Sequence, residues 1–306
     1  KVDGLPVELV YASGLLVSAS TRGDGRHGED VTERVREIQG IPHRLSGTFP
    51  GRVVVRGEIY AKLPLLQNTG AGDAPGKYSA PRHLAAGVLQ ARKPDPAALA
   101  ALRLFTFELV DSSSVGGSAD GILSTDRAAL QLLSKWGFAI ASEQSRLVQT
   151  FAEVRTVYRA YLENRDQQPF AMDGIVVKVD DLAVRKRLGE GERAPFWAAA
   201  WKFPPDTAKT KVLNISWTVG RTGRRTPVAD VAPVRLGGVL VTRVSLHNDA
   251  GIARLDIAEG DQVVVALVGD VIPQVLEVVE RAPRDLAAAA VLPLSESALD
   301  ACLHDS

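Results

Sequence analysis

Lys1-Val2-Asp3-Gly4 opens the chain and runs directly into the apolar stretch Leu5-Pro6-Val7-Glu8-Leu9-Val10-Tyr11. Side chains alternate along an extended backbone, so Lys1 and Asp3 share one face and Val2 takes the other. An amine and a carboxylate then stand side by side, next to a glycine that leaves room for a ligand. Alone, the pattern carries little: at ordinary residue usage, K-x-D-G arises in roughly one 300-residue chain in fifteen. Its plain alternative is an exposed strand end running into a turn. The rest of the chain decides between them.

Working outward, Pro6–Tyr11 and Leu15–Ser20 read as two strands joined at Ala12-Ser13-Gly14. Thr21-Arg22-Gly23-Asp24-Gly25-Arg26-His27-Gly28-Glu29-Asp30-Val31-Thr32 follows, whose glycines and Asp-Gly pair mark a tight turn with positive φ. The β-branched run 52–60 is interrupted by Gly57-Glu58, and a glycine inside a strand marks close approach of a ligand or of another backbone. Glu58, just after it, is therefore a site candidate, with an exposed edge-strand glutamate as the plain reading. Residues 68–80 predict a mobile polar loop, 81–92 a helix with proline at its start, 102–110 a buried strand and 111–120 a linker. Thr125 caps a helix to about Trp136, and Thr150 with Glu153 forms a capping-box pattern for another. Val154, Val157, Tyr158, Tyr161 and Leu162 give that second helix one apolar stripe.

Met172-Asp173-Gly174-Ile175-Val176-Val177-Lys178-Val179-Asp180 reads as a strand with Ile175, Val177 and Val179 toward the core and Gly174, Val176 and Lys178 opposite. A lysine on an apolar strand calls for an anion, a carboxylate or a phosphate, because an unpaired charge is costly to bury. Trp201-Lys202-Phe203 repeats the pattern before Pro204-Pro205 ends the strand. Five short strands, about 211–219, 226–234, 239–246, 262–268 and 275–279, then predict a small closed barrel. Gly220-Arg221-Thr222-Gly223-Arg224-Arg225 is the densest basic cluster, a solvated turn or a contact for a phosphate backbone.

The 306 residues bound the reading to about two domains. Lys+Arg and Asp+Glu both number 36, so nucleic-acid binding has to come from local patches rather than a global basic field. No apolar run reaches a membrane span. The single cysteine, Cys302, excludes an internal disulfide or a multi-cysteine zinc site within these residues, and with it goes the expectation of a reduced, cytoplasmic compartment. The only methionine is Met172, so further residues are expected before Lys1.

In order, Lys1-Val2-Asp3-Gly4, Arg56-Gly57-Glu58, Asp173-Gly174-Ile175-Val176-Val177-Lys178 and Trp201-Lys202-Phe203 resemble the motifs of the covalent nucleotidyltransferases: DNA ligases, RNA ligases and capping enzymes. The finer resemblance is to bacterial NAD-dependent DNA ligases. It rests on Thr21–Gly25 with Gly28–Thr32, Val219–Gly223 with Thr226–Ala229, Leu246-His247-Asn248 and Gly269-Asp270-Val271-Ile272-Pro273. The resemblance implies an α+β chain: a nucleotidyltransferase (adenylation) domain of mostly antiparallel sheets at 1–206, an all-β OB-fold at 207–282 and a tail at 283–306 without assigned role. It implies sealing of 5′-phosphate/3′-hydroxyl nicks in duplex DNA through lysyl-AMP and DNA-adenylate, with NAD as AMP donor. Lys1 is then the nucleophile, and Lys178 and Lys202 favour its neutral amine by repulsion while holding phosphate charge. That help matters, since a free lysine is neutral in only about one molecule in 10³–10⁴ at physiological pH.

The same resemblance places Asp3 beside the lysine or a hydrated metal, and Glu58 near the ribose and the metal, which is Mg²⁺ or Mn²⁺. Arg22, Gly174 and Val176 join Lys1, Glu58, Lys178 and Lys202 around the nucleotide. Arg82, Arg165, Arg221, Val271 and Ile272 face DNA. The expected partner is nicked double-stranded DNA and not a membrane, the expected state a monomer, and the expected location the bacterial cytoplasm with the nucleoid. Departures from the family pattern are His83 for an asparagine, and Gln90 and Leu267 for arginines. A zinc module and the domain that grips nicotinamide mononucleotide also lie outside these residues, so a shorter paralogue lacking the zinc module stays open. So does a non-catalytic module that clamps nicked DNA. An ATP-dependent ligase or capping enzyme is the third alternative, against which Thr21–Thr32 and Gly269–Pro273 speak.

Overall fold

A computed structural model describes residues 1–23, 27–46, 51–63, 81–111, 123–140, 145–191, 194–219, 223, 225–236, 239–268 and 272–284. The expected loop at 68–80, the linker around 112–120, most of the basic turn and the tail beyond 284 lie outside them. The chain divides between the two adjacent prolines, into Lys1–Pro204 and Pro205–Ser306. Among the described residues no helix is long and apolar enough to cross a membrane.

In the first unit, β1 (Leu5–Ala12), β2 (Leu15–Thr21), β3 (Arg52–Ala61) and β4 (Leu102–Asp111) form an antiparallel sheet in the order β2-β1-β3-β4. Alternation decides which face of β1 is buried: Val7, Leu9 and Tyr11 lie in the core, while Glu8 reaches out to Arg56. The stretch after β2 shapes its own return. Thr32 Oγ1 accepts from Ala19 N at 2.8 Å, and Asp30 accepts from Thr32 N at 2.9 Å. The capping expectations hold, since Thr125 caps the helix Asp126–Lys135 and Thr150 with Glu153 closes a capping box on Phe151–Glu163. Tyr158 of that second helix stacks on Trp201 with ring centroids 4.3 Å apart, which fastens the helix to a second, two-stranded sheet of β5 (Gly174–Lys178) and β6 (Ala198–Lys202).

Residues 1–3 join the two sheets. Asp3 N donates to Ala171 O at 2.8 Å and Asp173 N to Lys1 O at 3.2 Å, an antiparallel ladder through Val2 and Met172. β1 begins just beyond one side of this ladder and β5 just beyond the other. Both flanking glycines are there for protein contacts. A Cβ on Gly4 would stand 2.3 Å from Ile59 O, and one on Gly174 2.3 Å from Trp201 O. At Gly57, of the two readings, ligand or neighbouring backbone, the second holds: its missing side chain makes room for Leu104 and the Phe105 carbonyl.

The second unit is a closed barrel of β7 (Thr207–Val219), β8 (Arg225–Leu236), β9 (Val239–Ser245), β10 (Gln262–Val268) and β11 (Ile272–Glu280). β10 closes it by pairing with β7, and β11 meets β9 in parallel at Gln274 and Ser245. Val231, Val244, Val263 and Val265 fill its core. Leu246-His247-Asn248 proves to be a helix start: Leu246 is buried, His247 takes φ 64° and the Asn248 side chain accepts from Gly251 N at 2.8 Å. Leu267 is buried in the barrel core, so that position presents no cation.

Helices at Thr32–Glu37, Pro96–Ala100, Leu182–Leu188 and Asp249–Leu255 were not expected. Each spans two turns or fewer, too short for a 3.6-residue period to emerge from the sequence. The packing at Gly174 has a measurable consequence. Gly174→Ala is expected to lower stability by about 1–3 kcal/mol, because the clashing atom is backbone and cannot swing aside; thermal unfolding of the variant beside the wild type checks it.

Candidate active site

The ladder between residues 1–3 and 171–174 sets Lys1 against Asp173. Lys1 Nζ donates to Asp173 Oδ2 at 2.6 Å, and Lys202 Nζ lies 3.7 Å from the same oxygen. Lys202 comes into range because it pairs with Gly174 across the two-stranded sheet. Its side chain is 59% exposed, whereas that of Asp173 is 9% exposed. Asp173 Oδ1 is buried with no hydrogen-bond partner among the described residues. One carboxylate thus bridges two lysines and keeps an oxygen in reserve.

Asp3 lies on the same face as Lys1, as alternation predicts. It is buried, and its Oδ1 lies 2.9 Å from Arg82 Nε, which also donates to Gly4 O at 3.0 Å. Glu58 pairs with Pro6 across β1 and β3, and its side chain packs under Gly4. Burial pushes the Glu58 carboxyl up from 4.5 to about 7, against the pull of Arg82 and Lys1, with Asp3 and Asp173 adding to the rise. Among the described residues, no three His, Cys, Asp or Glu side chains gather as a ligand set. Such a site does not fit a dehydrated metal cage. A desolvated Glu58 and the unpartnered Asp173 oxygen do fit a divalent cation that keeps its waters.

The two lysines expected together are separated. Lys178 stands at the opposite end of β5 from Gly174, roughly 13 Å away at the usual rise per residue. Its amine donates to Phe107 O at 2.9 Å and lies 2.8 Å from Asp126 Oδ2. The anion that this lysine called for is thus a carboxylate of the protein. Val176, between them, is 46% exposed.

Arg22 is exposed at the end of β2, and Arg165 lies in the short 3₁₀ turn Arg165–Gln167, 3.6 Å from Asp166. Ile272 is 52% exposed at the start of β11, while Arg221 and Val271 fall outside the described residues. Gln90 spends its amide on Glu29, at 2.8 Å. Sequence reasoning passed over Asp173 and Asp126 as site residues. Asp173 opens the Asp-Gly-Ile-Val-Val-Lys stretch, and that stretch was its signal in the sequence. Asp126 showed none, since it reads as an ordinary first-turn helix residue.

A domain of antiparallel sheets carrying this cluster, followed by a closed five-stranded barrel, has the architecture of an adenylation domain with an OB-fold domain. The family model of the NAD-dependent DNA ligase adenylation domain matches residues 1–206, and that of the NAD-dependent DNA ligase OB-fold domain matches 209–286. The chain belongs to the NAD-dependent DNA ligase family. It is 42% identical over 281 residues to a DNA ligase of Syntrophotalea carbinolica, covering 91% of this chain and 41% of that protein. To a DNA ligase of Caulobacter vibrioides it is 43% identical over 282 residues, 91% of this chain and 35% of the relative. The chain thus spans about two-fifths of the length of the curated relatives it matches. A solved structure described as "DNA binding with a minimal scaffold: Structure-function analysis of Lig E DNA ligases" covers 91% of this chain and 90% of its own at 13% identity and TM-score 0.49.

The raised Glu58 carboxyl makes stability depend on pH. The folded state holds the proton up to about pH 7, and the unfolded chain releases it near 4.5, so the folded state loses ground as pH rises through that window. Glu58→Gln is expected to flatten this fall and to be the more stable protein at pH 8, by up to about 3 kcal/mol. Urea unfolding of both proteins at pH 4 and pH 8 measures it.

Proposed function

We propose that the chain is the catalytic core of a DNA ligase that seals 5′-phosphate/3′-hydroxyl nicks in duplex DNA, with NAD as the AMP donor. The observation that carries this reading is Lys1 held at 2.6 Å from Asp173, whose side chain is 9% exposed, with Lys202 beside the same oxygen. In the first step the Lys1 amine bonds to the α-phosphorus of NAD, the pyrophosphate bond breaks, nicotinamide mononucleotide leaves and the nitrogen gives up a proton. The amine has to leave Asp173 to attack. Lys202, within reach of the vacated carboxylate and largely exposed, is placed to hold charge on the phosphate meanwhile. The adenylate then passes to the 5′-phosphate of the nick, and attack by the 3′-hydroxyl releases AMP.

Lys178, a strand length away, meets the other end of the nucleotide rather than its phosphate. Gly174 and Val176 line the floor between the two lysines. Glu58, Asp3 and the unpartnered Asp173 oxygen would hold the waters of a Mg²⁺ or Mn²⁺ ion, whose charge would offset that of the phosphates. Residues 1–206 serve as the adenylation domain and 207–282 as the OB-fold domain. Arg22, Arg82, Arg165, Arg221, Val271 and Ile272 contact the nucleotide or the DNA. The protein acts as a monomer in the bacterial cytoplasm, on nucleoid DNA.

Full-length protein incubated with adenylate-labelled NAD and Mg²⁺ is expected to carry the label on Lys1, and Lys1→Ala to lose it by about 10³-fold or more. Lys202→Ala is expected to slow labelling by about 10²–10³-fold. No label on the wild type, or equal labelling from ATP, would overturn the assignment. Gln90 and Leu267, which supply no cation, favour a second reading, a module that clamps nicked DNA without sealing it. Pre-adenylated nicked DNA separates the two: the ligase core seals it, and the clamp binds it unchanged.

A further inference from the structure

We infer that Asp126, held by Arg185, is a positioning residue that aims the Lys178 ammonium at the nucleotide. The inference rests on the proposed place of Lys178 in the nucleotide site. Asp126 is 7% exposed and has both oxygens committed, Oδ2 to Lys178 Nζ at 2.8 Å and Oδ1 to Arg185 Nη1 at 2.9 Å. Arg185, also 7% exposed, is itself immobilised: its Nε donates to Val179 O, and its guanidinium lies 4.2 Å from the centroid of the Trp197 ring. Asp126 N donates to Asp180 O at 2.8 Å, which ties the start of its helix to the strand end beyond Lys178.

An ammonium carries three N–H groups. Among the described residues, one of those of Lys178 goes to Asp126 and one to the Phe107 carbonyl of β4. Two acceptors on separate elements define the direction of the third by tetrahedral geometry. A lysine is ordinarily a mobile point charge. Here it becomes a directed donor with one hydrogen left for a ligand acceptor. The carboxylate also balances its charge, and Arg185 keeps that carboxylate from turning.

A purely structural tie between helix and strand would use the same contacts, so the test is a coupling measured on kinetics. Self-adenylation of the full-length protein is followed against NAD concentration for wild type, Asp126→Asn, Lys178→Ala, their combination, and Asp126→Asn with Arg185→Gln. The last replaces both buried charges with neutral amides, so neither charge is left unpaired. Asp126→Asn and the neutral pair are each expected to lower kcat/KM by about 10–100-fold, mainly through KM. In the Lys178→Ala background, Asp126→Asn is expected to add less than about twofold, because its target is gone. Asp126→Glu is expected to recover part of the loss.

Losses that multiply in the combined variant would overturn the inference. So would wild-type kinetics in a neutral-pair variant that unfolds at the wild-type temperature. Lys178→Ala with wild-type kinetics would remove Lys178 from the nucleotide site, and the inference would fall with that reading. Labelling of Lys1 by NAD in the same experiment keeps the two failures apart.

Discussion

The site depends on one short backbone ladder. Residues 1–3 and 171–174, far apart in the chain, pair antiparallel through Asp3 N to Ala171 O and Asp173 N to Lys1 O. β1 follows one segment and β5 the other, so the ladder joins two sheets and sets a lysine opposite an aspartate. Side chains on a strand alternate with period two. A slip of one residue would carry Lys1 and Asp3 to the far face and leave Asp173 with Lys202 alone. Gly4 and Gly174 protect the register, because their flanking backbones approach too closely for any Cβ.

What the ladder assembles is a cluster of Asp3, Glu58 and Asp173 with Lys1, Arg82 and Lys202. Each acid answers burial differently. Asp3 lies against Arg82 and Asp173 against Lys1, but Glu58 has to bear burial with two further carboxylates near it, and its carboxyl rises to about 7. A partly balanced buried cluster is expensive to maintain for stability alone. Lys178 is the contrast: its charge is met in advance by Asp126 and a carbonyl.

Much of this was legible in the residues, and the reason is period. β1 alternates cleanly because one of its faces is buried. Thr125, and Thr150 with Glu153, announced their helices because a capping side chain satisfies backbone groups a few residues away. The barrel followed from short β-branched runs broken by glycines. The four short helices escaped because a turn or two shows no period. The lysines of the Asp-Gly-Ile-Val-Val-Lys and Trp-Lys-Phe stretches looked equivalent, since each stood on one face of an apolar strand. Antiparallel register set them apart, bringing Lys202 to the Gly174 end and leaving Lys178 at the other.

By itself, the sequence determined the strands, the helix caps at Thr125 and Thr150, the two-unit order and the family, through patterns that span a few residues or keep a fixed order along the chain. Lys1-Val2-Asp3-Gly4 already placed its amine and carboxylate on one face. Only the tertiary structure decided which carboxylate each cation meets: Asp173 for Lys1 and Lys202, Asp3 for Arg82, Asp126 for Lys178 and Arg185. It also turned Gly4 from an opening for a ligand into a seat for neighbouring protein atoms, and at Gly57 it chose the neighbouring backbone over a ligand. The physical reason is distance in sequence. Alternation and capping act between residues a few positions apart, whereas ion pairs form between whatever side chains the packed sheets bring together.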